Sequence, residues 1–182
     1  MIKIVATYYQ QQKEVWVLIH SLLNQTYKDW NLYICSNGDE SVLQLPITDK
    51  RIHVEMFAPT GFWGCYNREY MRTRVEDEDY LINCSVEDYY APTTLEEISK
   101  RNEDFVWFDF SHHHFKYNSS SIESEPSVGA IDWGNFAVKG KVAKQVPIRN
   151  CESYTADGEW VEDIMKLKPT KHKIKKILFV KN

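Results

Sequence analysis

The run Tyr80-Leu81-Ile82-Asn83-Cys84 has the length and apolar character of a buried strand, and it breaks into the adjacent acids Glu87 and Asp88 before Pro92, a residue suited to opening a helix. Two carboxylates therefore stand where a strand stops. Continuous apolar strands of this kind belong to open α/β sheets, in which ligands bind in the crevice beyond the carboxyl ends of the strands. Placed there, Glu87 and Asp88 are candidates to hold a cation or a polar substrate; taken without context, the same pair is a solvated turn.

The segments on either side repeat the pattern. Residues 2–6 read as a buried strand ending in Thr7-Tyr8-Tyr9, and Val15, Leu18, Ile19 and Leu22 fit a helix over about 14–23. Trp30 to Cys35 is the next strand, stopped by Ser36-Asn37-Gly38-Asp39, which completes a β-α-β unit. Arg51 to Met56 alternates as a third strand, and Pro59-Thr60-Gly61 turns the chain into a helix over about 63–74. After the two acids, a helix over about 92–100 leads to a fifth strand at 104–110. Gly129 to Val138 reads as strand, turn and strand, followed by a short helix near Val142. Ser153 to Trp160 precedes a helix carrying Val161, Ile164 and Met165, and a basic strand runs from Lys173 to Val180. Strands alternating with helices predict an α/β fold: a Rossmann-like domain with a central, mostly parallel sheet flanked by helices.

A length of 182 residues suits one well-buried core, so a single domain over 1–182 is expected. Net charge is -4, with the acids spread along the chain, which argues against nucleic acid or an anionic membrane as partner. No apolar run approaches a bilayer span, and Met1 to Ala6 reads as a strand rather than a signal peptide, so a soluble cytoplasmic protein is expected. Cys35, Cys65, Cys84 and Cys151 include no C-x-x-C pair and are expected as reduced, mostly packed thiols. His112, His113 and His114 resemble a metal cluster at first sight, but adjacent residues point in different directions, so at most two would share an ion. With Asn118-Ser119-Ser120-Ser121 they bracket a polar segment expected to be a long loop, a candidate functional lid.

Several blocks in order carry a resemblance. They are Lys3-Ile4-Val5-Ala6-Thr7-Tyr8-Tyr9, then His20-Ser21-Leu22-Leu23-Asn24-Gln25-Thr26-Tyr27-Lys28-Asp29-Trp30, then Leu32 to Asp39, then Gly61 to Asn67, then the stretch ending in Glu87-Asp88, and last Ala156-Asp157-Gly158-Glu159. Together they resemble the family-two nucleotide-sugar glycosyltransferases of the GT-A fold. The second block is the most specific, being similar to the family's S-L-x-x-Q-T-Y-x-D-W stretch.

The resemblance implies a nucleotide-binding half over 1–90 and an acceptor and catalytic half over 91–182. It implies an inverting transferase moving a sugar from a nucleoside diphosphate, UDP above all, to a glycan or other hydroxyl acceptor. Thr7, Tyr8, Ser36 and Asn37 would surround the base; Gly61 would permit close backbone approach and Asn67 a hydrogen bond across its loop, while Trp63 and Tyr66 would pack. Glu87 and Asp88 would face the diphosphate and hold Mn²⁺ or Mg²⁺. Asp132, Trp133 and Gly134 would meet the sugar, and Asp157 would be the general base, with Glu159 as fallback. The chain departs from the pattern at Ser85, where the first acid of D-x-D is usual, at Tyr66 and Ser36, and at Lys181-Asn182, where members carry a metal-binding His before Asn. A terminal ammonium at the diphosphate would supply part of the metal's charge. The other readings are a nucleotide-sugar-binding module without catalysis and a nucleotidyltransferase, the latter lacking a Gly-rich phosphate loop.

Overall fold

A computed structural model describes residues 1–112 and 121–182. The chain begins with strand β1 (Ile2–Tyr8), helix α1 (Val15–Leu23), β2 (Trp30–Asn37), a 3₁₀ turn over Glu40–Gln44 and β3 (Ile52–Phe57). A second 3₁₀ turn (Phe62–Gly64) enters α2 (Cys65–Arg72), followed by β4 (Tyr80–Ser85), the two-residue β5 (Tyr89–Tyr90) and α3 (Thr94–Ser99). Then come β6 (Phe105–His112), a 3₁₀ turn over Trp133–Asn135, β7 (Phe136–Lys139), α4 (Gly140–Ala143), α5 (Ala156–Lys166) and β8 (Lys171–Lys181).

The described strands form one sheet in the order β3-β2-β1-β4-β7-β6-β8-β5. β3, β2, β1 and β4 run parallel, as do β6 and β8, while β7 is antiparallel to both β4 and β6 and β5 antiparallel to β8. Side chains alternate between two cores, one on each face. Ile4, Ala6, Ile82, Cys84, Val106 and Phe108 face one core with Leu18, Leu22, Leu95 and Ile98 of α1 and α3. Val5, Leu81, Phe105 and Trp107 face the other with residues of α2, α4 and α5. The period-2 alternation explains how strands that read as unbroken apolar runs are buried twice over.

The chain proceeds outward from β1 through β2 to β3 and then returns to the opposite side of β1 as β4. This reversal opens a crevice at the carboxyl ends of β1, β2 and β4. Two expectations are corrected in the second half. Residues 129–132 form no strand, because Asp132 caps the turn that follows: it accepts from Gly134 N (3.2 Å) while Asn135 Oδ1 accepts from Asp132 N (2.8 Å). Cys65 and Cys151 are joined in a disulfide across 86 positions of sequence, where reduced thiols were expected. The sheet brings the start of α2 beside the loop before α5, a proximity that spacing along the chain does not reveal. Cys35 and Cys84 are buried free thiols. His113, His114 and Asn118 to Ser120 of the expected loop lie outside the described residues. No helix among the described residues is long and apolar enough to cross a membrane.

Candidate active site

A cleft of about 670 Å³ opens at the switch point, lined by Thr7 and Tyr8 at the end of β1 and Tyr9 and Gln11 just after it, Asn37 from β2, Pro59 and Gly61 to Gly64 from the loop after β3, and Ser85 at the end of β4 with Glu87 just after it. Its donor-side wall is tied together by neutral hydrogen bonds. Asn37 Oδ1 accepts from Thr60 N (2.9 Å) and Thr60 Oγ1 (3.0 Å), fastening the end of β2 to the loop after β3. Gly61 has φ +66° and Gly64 φ +71°, and a Cβ at Gly64 would lie 2.6 Å from the Thr7 methyl, so only glycine lets this loop press on β1.

Among the expected donor residues, Thr7, Tyr8, Asn37, Gly61 and Glu87 line this one cleft, whereas Ser36 and Asn67 do not. Ser36 is fully buried and its hydroxyl closes the turn after β2, donating to Asp39 O (2.6 Å) and accepting from Asp39 N (3.0 Å). The Tyr8 ring is buried, with its hydroxyl 2.8 Å from Ser41 Oγ. Asn67 is buried on the inner face of α2, and among the described residues neither end of its amide finds a hydrogen-bond partner, so the expected bond across the loop is not made there. Trp63 and Tyr66 were expected to pack, yet they are 67% and 44% exposed. The positive φ angles of Phe62 (48°) and Trp63 (52°) turn this segment away from the core.

Beyond Glu87 the character of the site changes from neutral to charged. Glu87 Oε2 accepts from Gln11 Nε2, and burial, followed by the charge of Glu14, raises its pKa against the pull of Lys181. Asp88 is only 3% exposed; its carboxylate accepts from Ser85 N (2.7 Å) and Asn182 N (3.4 Å). Burial, with the charge of Asp132, pushes it up to about 8. Asp132 is buried and one of its carboxylate oxygens pairs with the ammonium of Lys181, the residue for which the resemblance implied a place at the diphosphate. Burial alone would lower the Lys181 pKa, but Asp132, Tyr154 and Asp157 raise it above the usual lysine value.

Asp157 stands in the first turn of α5, which starts before Trp160, and accepts from Gly158 N (2.8 Å). Burial, then Asp132, raises its pKa to about 6, while Gly158 N–H, Lys181 and Arg68 hold it down. Glu159, the fallback base, is instead engaged by Thr155, Asn150 and Ser153 on the outer side of the helix start. Trp133 has its ring between Trp160 (5.7 Å) and the guanidinium of Arg68 (5.1 Å), and Gly134 fits beneath the Phe179 ring, which a Cβ would strike.

The residue that connects the two regions was missed in the sequence. Arg68 is 2% exposed and donates to Thr7 Oγ1, Cys84 O and Trp63 O, each at 3.0 Å. Its pKa is lowered by burial, against the charges around it, of which Cys84, Asp132, Asp88 and Asp157 are the contributors; a guanidinium nonetheless stays protonated at neutral pH. The signal was present: Arg68 and Arg72 fall at i+3 and i+7 from Cys65, on the face that α2 buries.

No protein-family model matches the chain, and no curated protein matches it in sequence. Solved structures do. S. aureus TarS 1–349 superposes with a TM-score of 0.78 at 12% identity, covering 98% of this chain and 59% of that one. The same protein in complex with UDP-GlcNAc gives 0.78 at 13% identity, covering 99% and 58%. The mannosyltransferase PcManGT from Pyrobaculum calidifontis, in complex with GDP-Man and Mn²⁺, gives 0.69 at 10% identity, covering 99% and 56%. The chain spans less than two thirds of the length of these neighbours. They are glycosyltransferases of GT-A-like fold, and the likeness shows that fold for this chain.

Proposed function

We propose that the chain is an inverting glycosyltransferase that uses a nucleoside-diphosphate sugar, UDP-linked, and a hydroxyl acceptor. The observation that carries this reading is Asp157: a half-buried carboxylate with its pKa raised to about 6 against the charges of Lys181 and Arg68, the second of which bonds Thr7 and Trp63 of a cleft on the switch point of an α/β sheet. Such a group is ionised at neutral pH yet basic enough to take a hydroxyl proton. In the proposed step the acceptor oxygen attacks the anomeric carbon as Asp157 takes its proton. The bond from that carbon to the diphosphate oxygen breaks, and the nucleoside diphosphate departs with the electron pair from the opposite face, which inverts the centre.

The base and ribose occupy the donor-side wall of Thr7, Tyr8, Asn37 and Gly61. The diphosphate lies towards Ser85 and Glu87, and the sugar towards Asp132 and its neighbours Trp133 and Gly134. Developing charge on the diphosphate needs a cation. A divalent ion on Glu87 and Asp88 is the family's solution, but the described residues fit it poorly. No three His, Cys, Asp or Glu side chains among them converge on one point, Asp88 is enclosed by backbone amides, and Glu87 is bonded to Gln11. No step of this reading therefore runs through a metal. The charge comes from Lys181, whose ammonium stands on Asp132 and acts on Glu87 at the rim of the cleft.

The test is a panel of UDP- and GDP-sugars incubated with the protein, with released nucleotide and the anomeric configuration of the product followed by NMR. Release from a UDP-sugar with an inverted product is the expected result. Thermal stabilisation by UDP without any sugar release would instead support a binding module that lacks catalysis.

A further inference from the structure

At the mouth of the cleft two large aromatic side chains stand in solvent. Trp63 is 67% exposed, and Tyr154, at 81%, is the most exposed of the large hydrophobic residues described. Their rings meet edge to face, with centroids 6.1 Å apart and planes at 80°. A pair of this size left unburied on a chain with ample core is costly, and exposed aromatic patches mark binding surfaces.

The backbone holds Trp63 there by force of conformation. Gly61, Phe62, Trp63 and Gly64 all have positive φ (66°, 48°, 52° and 71°), and for Phe and Trp this region is unfavourable. Strain of this kind persists only where surrounding contacts over-determine it. Here they do: Gly64 N donates to Gly61 O (3.2 Å), and the buried Arg68 donates to Trp63 O (3.0 Å). The opposite arm is fixed to the same base. Cys65, two residues after Trp63, is bonded to Cys151, three residues before Tyr154. The disulfide thus ties together the roots of the two segments that carry the rings.

The position of the pair defines what it would meet. Trp63 lines the cleft itself. Tyr154 precedes by two residues the first residue of α5, the helix that carries Asp157 in its first turn. The ring pair therefore joins the cleft lining to the segment that leads into the helix carrying Asp157. The apolar C–H face of a pyranose packs on an aromatic plane while its hydroxyls remain in water, and a second ring set edge-on to the first makes a corner that accepts a ring with two faces covered.

We propose that Trp63 and Tyr154 form an aromatic corner that binds a pyranose ring of the acceptor, so that the acceptor is a glycoside or glycan. This rests on the transferase reading for the word acceptor, but the binding itself does not require turnover. It is therefore tested by binding alone, using saturation-transfer NMR on the full chain with methyl β-D-glucopyranoside and methyl β-N-acetylglucosaminide as probes, in the presence of UDP. Saturation of the ring C–H protons is expected for at least one glycoside. That signal falls by about fivefold or more in Trp63→Ala and in Tyr154→Ala and is largely kept in Trp63→Phe and Tyr154→Phe, because a ring contact needs a ring. The thermal shift produced by UDP stays unchanged in the two Tyr154 variants, which lie outside the cleft lining, and circular dichroism spectra matching the parent show that all four variants are folded. Absence of saturation in the parent protein, or equal saturation in the alanine variants, overturns the aromatic corner whether or not UDP-sugars are turned over. Loss of sugar release with saturation intact would instead overturn the transferase reading and leave the corner standing.

Discussion

The cleft wall and the charged cluster beyond Glu87 are built on different physical terms. On the donor side, Thr7, Asn37 and Gly61 come from the ends of β1 and β2 and the loop after β3, and their polar atoms are held by neutral or single charge-assisted hydrogen bonds. In the cluster Asp88 and Asp132 are buried and Asp157 and Lys181 half-buried, in mutual contact or influence, and two of the carboxylates are displaced to about 8 and about 6. A wall of satisfied dipoles gives shape and affinity. A wall of desolvated charge gives reactivity, because each group there is held away from its ordinary protonation equilibrium by the others. The comparison predicts that damage to the first side appears in binding and damage to the second in rate.

Asp157 gives the largest contrast. Asp157→Asn keeps the size of the side chain and its acceptor for Gly158 N–H but cannot take a proton. Transfer is expected to fall by about 10³-fold, within the range for loss of a general base, while the thermal shift given by UDP persists. The parent activity should rise with pH through about 6, since only the ionised carboxylate accepts a proton, and this limb should vanish in the variant. A variant retaining transfer within about tenfold of the parent would remove Asp157 from the reaction and dissolve the distinction between the two sides.

Lys181 comes next in size. Lys181→Met preserves the stem and deletes the ammonium, leaving Asp132 buried without its partner and the diphosphate without its cation. Turnover is expected to drop by about 10²-fold, comparable to losing one electrostatic contact in a water-poor site. Because Lys181 holds the Asp157 pKa down, the acid limb of the residual activity should move above about 6. Parent turnover should meanwhile survive EDTA. Complete loss with the chelator would return the neutralising role to a metal and reduce Lys181 to a structural partner of Asp132.

How much of this was legible depends on how local the cause is. The strands β1, β2 and β4 and the helix α1 were readable because burial on both faces writes itself into consecutive residues. The pairing of Lys181 with Asp132 joins residues 49 apart and was visible only as an oddity at the end of the chain. The disulfide and the buried role of Arg68 depend on which segments the sheet brings together, a long-range outcome that periodicity does not encode. The misread strand at 129–132 had a local cause, a polar residue that satisfied the backbone as a cap, and Asp132-Trp133-Gly134-Asn135 carried that signal. Trp63 was misread for a different reason: hydrophobic residues are usually buried, and only the run of positive φ shows that this one is held outward.

The smallest expected effect sharpens the comparison from the donor side. Asn37 Oδ1 accepts two bonds from Thr60 and thereby holds the loop that carries Gly61 against the cleft. Both bonds are solvent-exposed, so Asn37→Ala leaves groups that water can satisfy and should cost the fold only about 0.5–1 kcal/mol. The loop is less well held before the donor arrives, and part of the binding energy is then used to order it. Donor KM should rise by about three- to tenfold with kcat within about twofold of the parent, because the lost interaction is the same in ground and transition states. The measurement is a steady-state comparison at saturating acceptor. A fall in kcat with KM unchanged would mean that the loop after β3 takes part in the chemical step, and the division between a binding wall and a reacting cluster would fail at that residue.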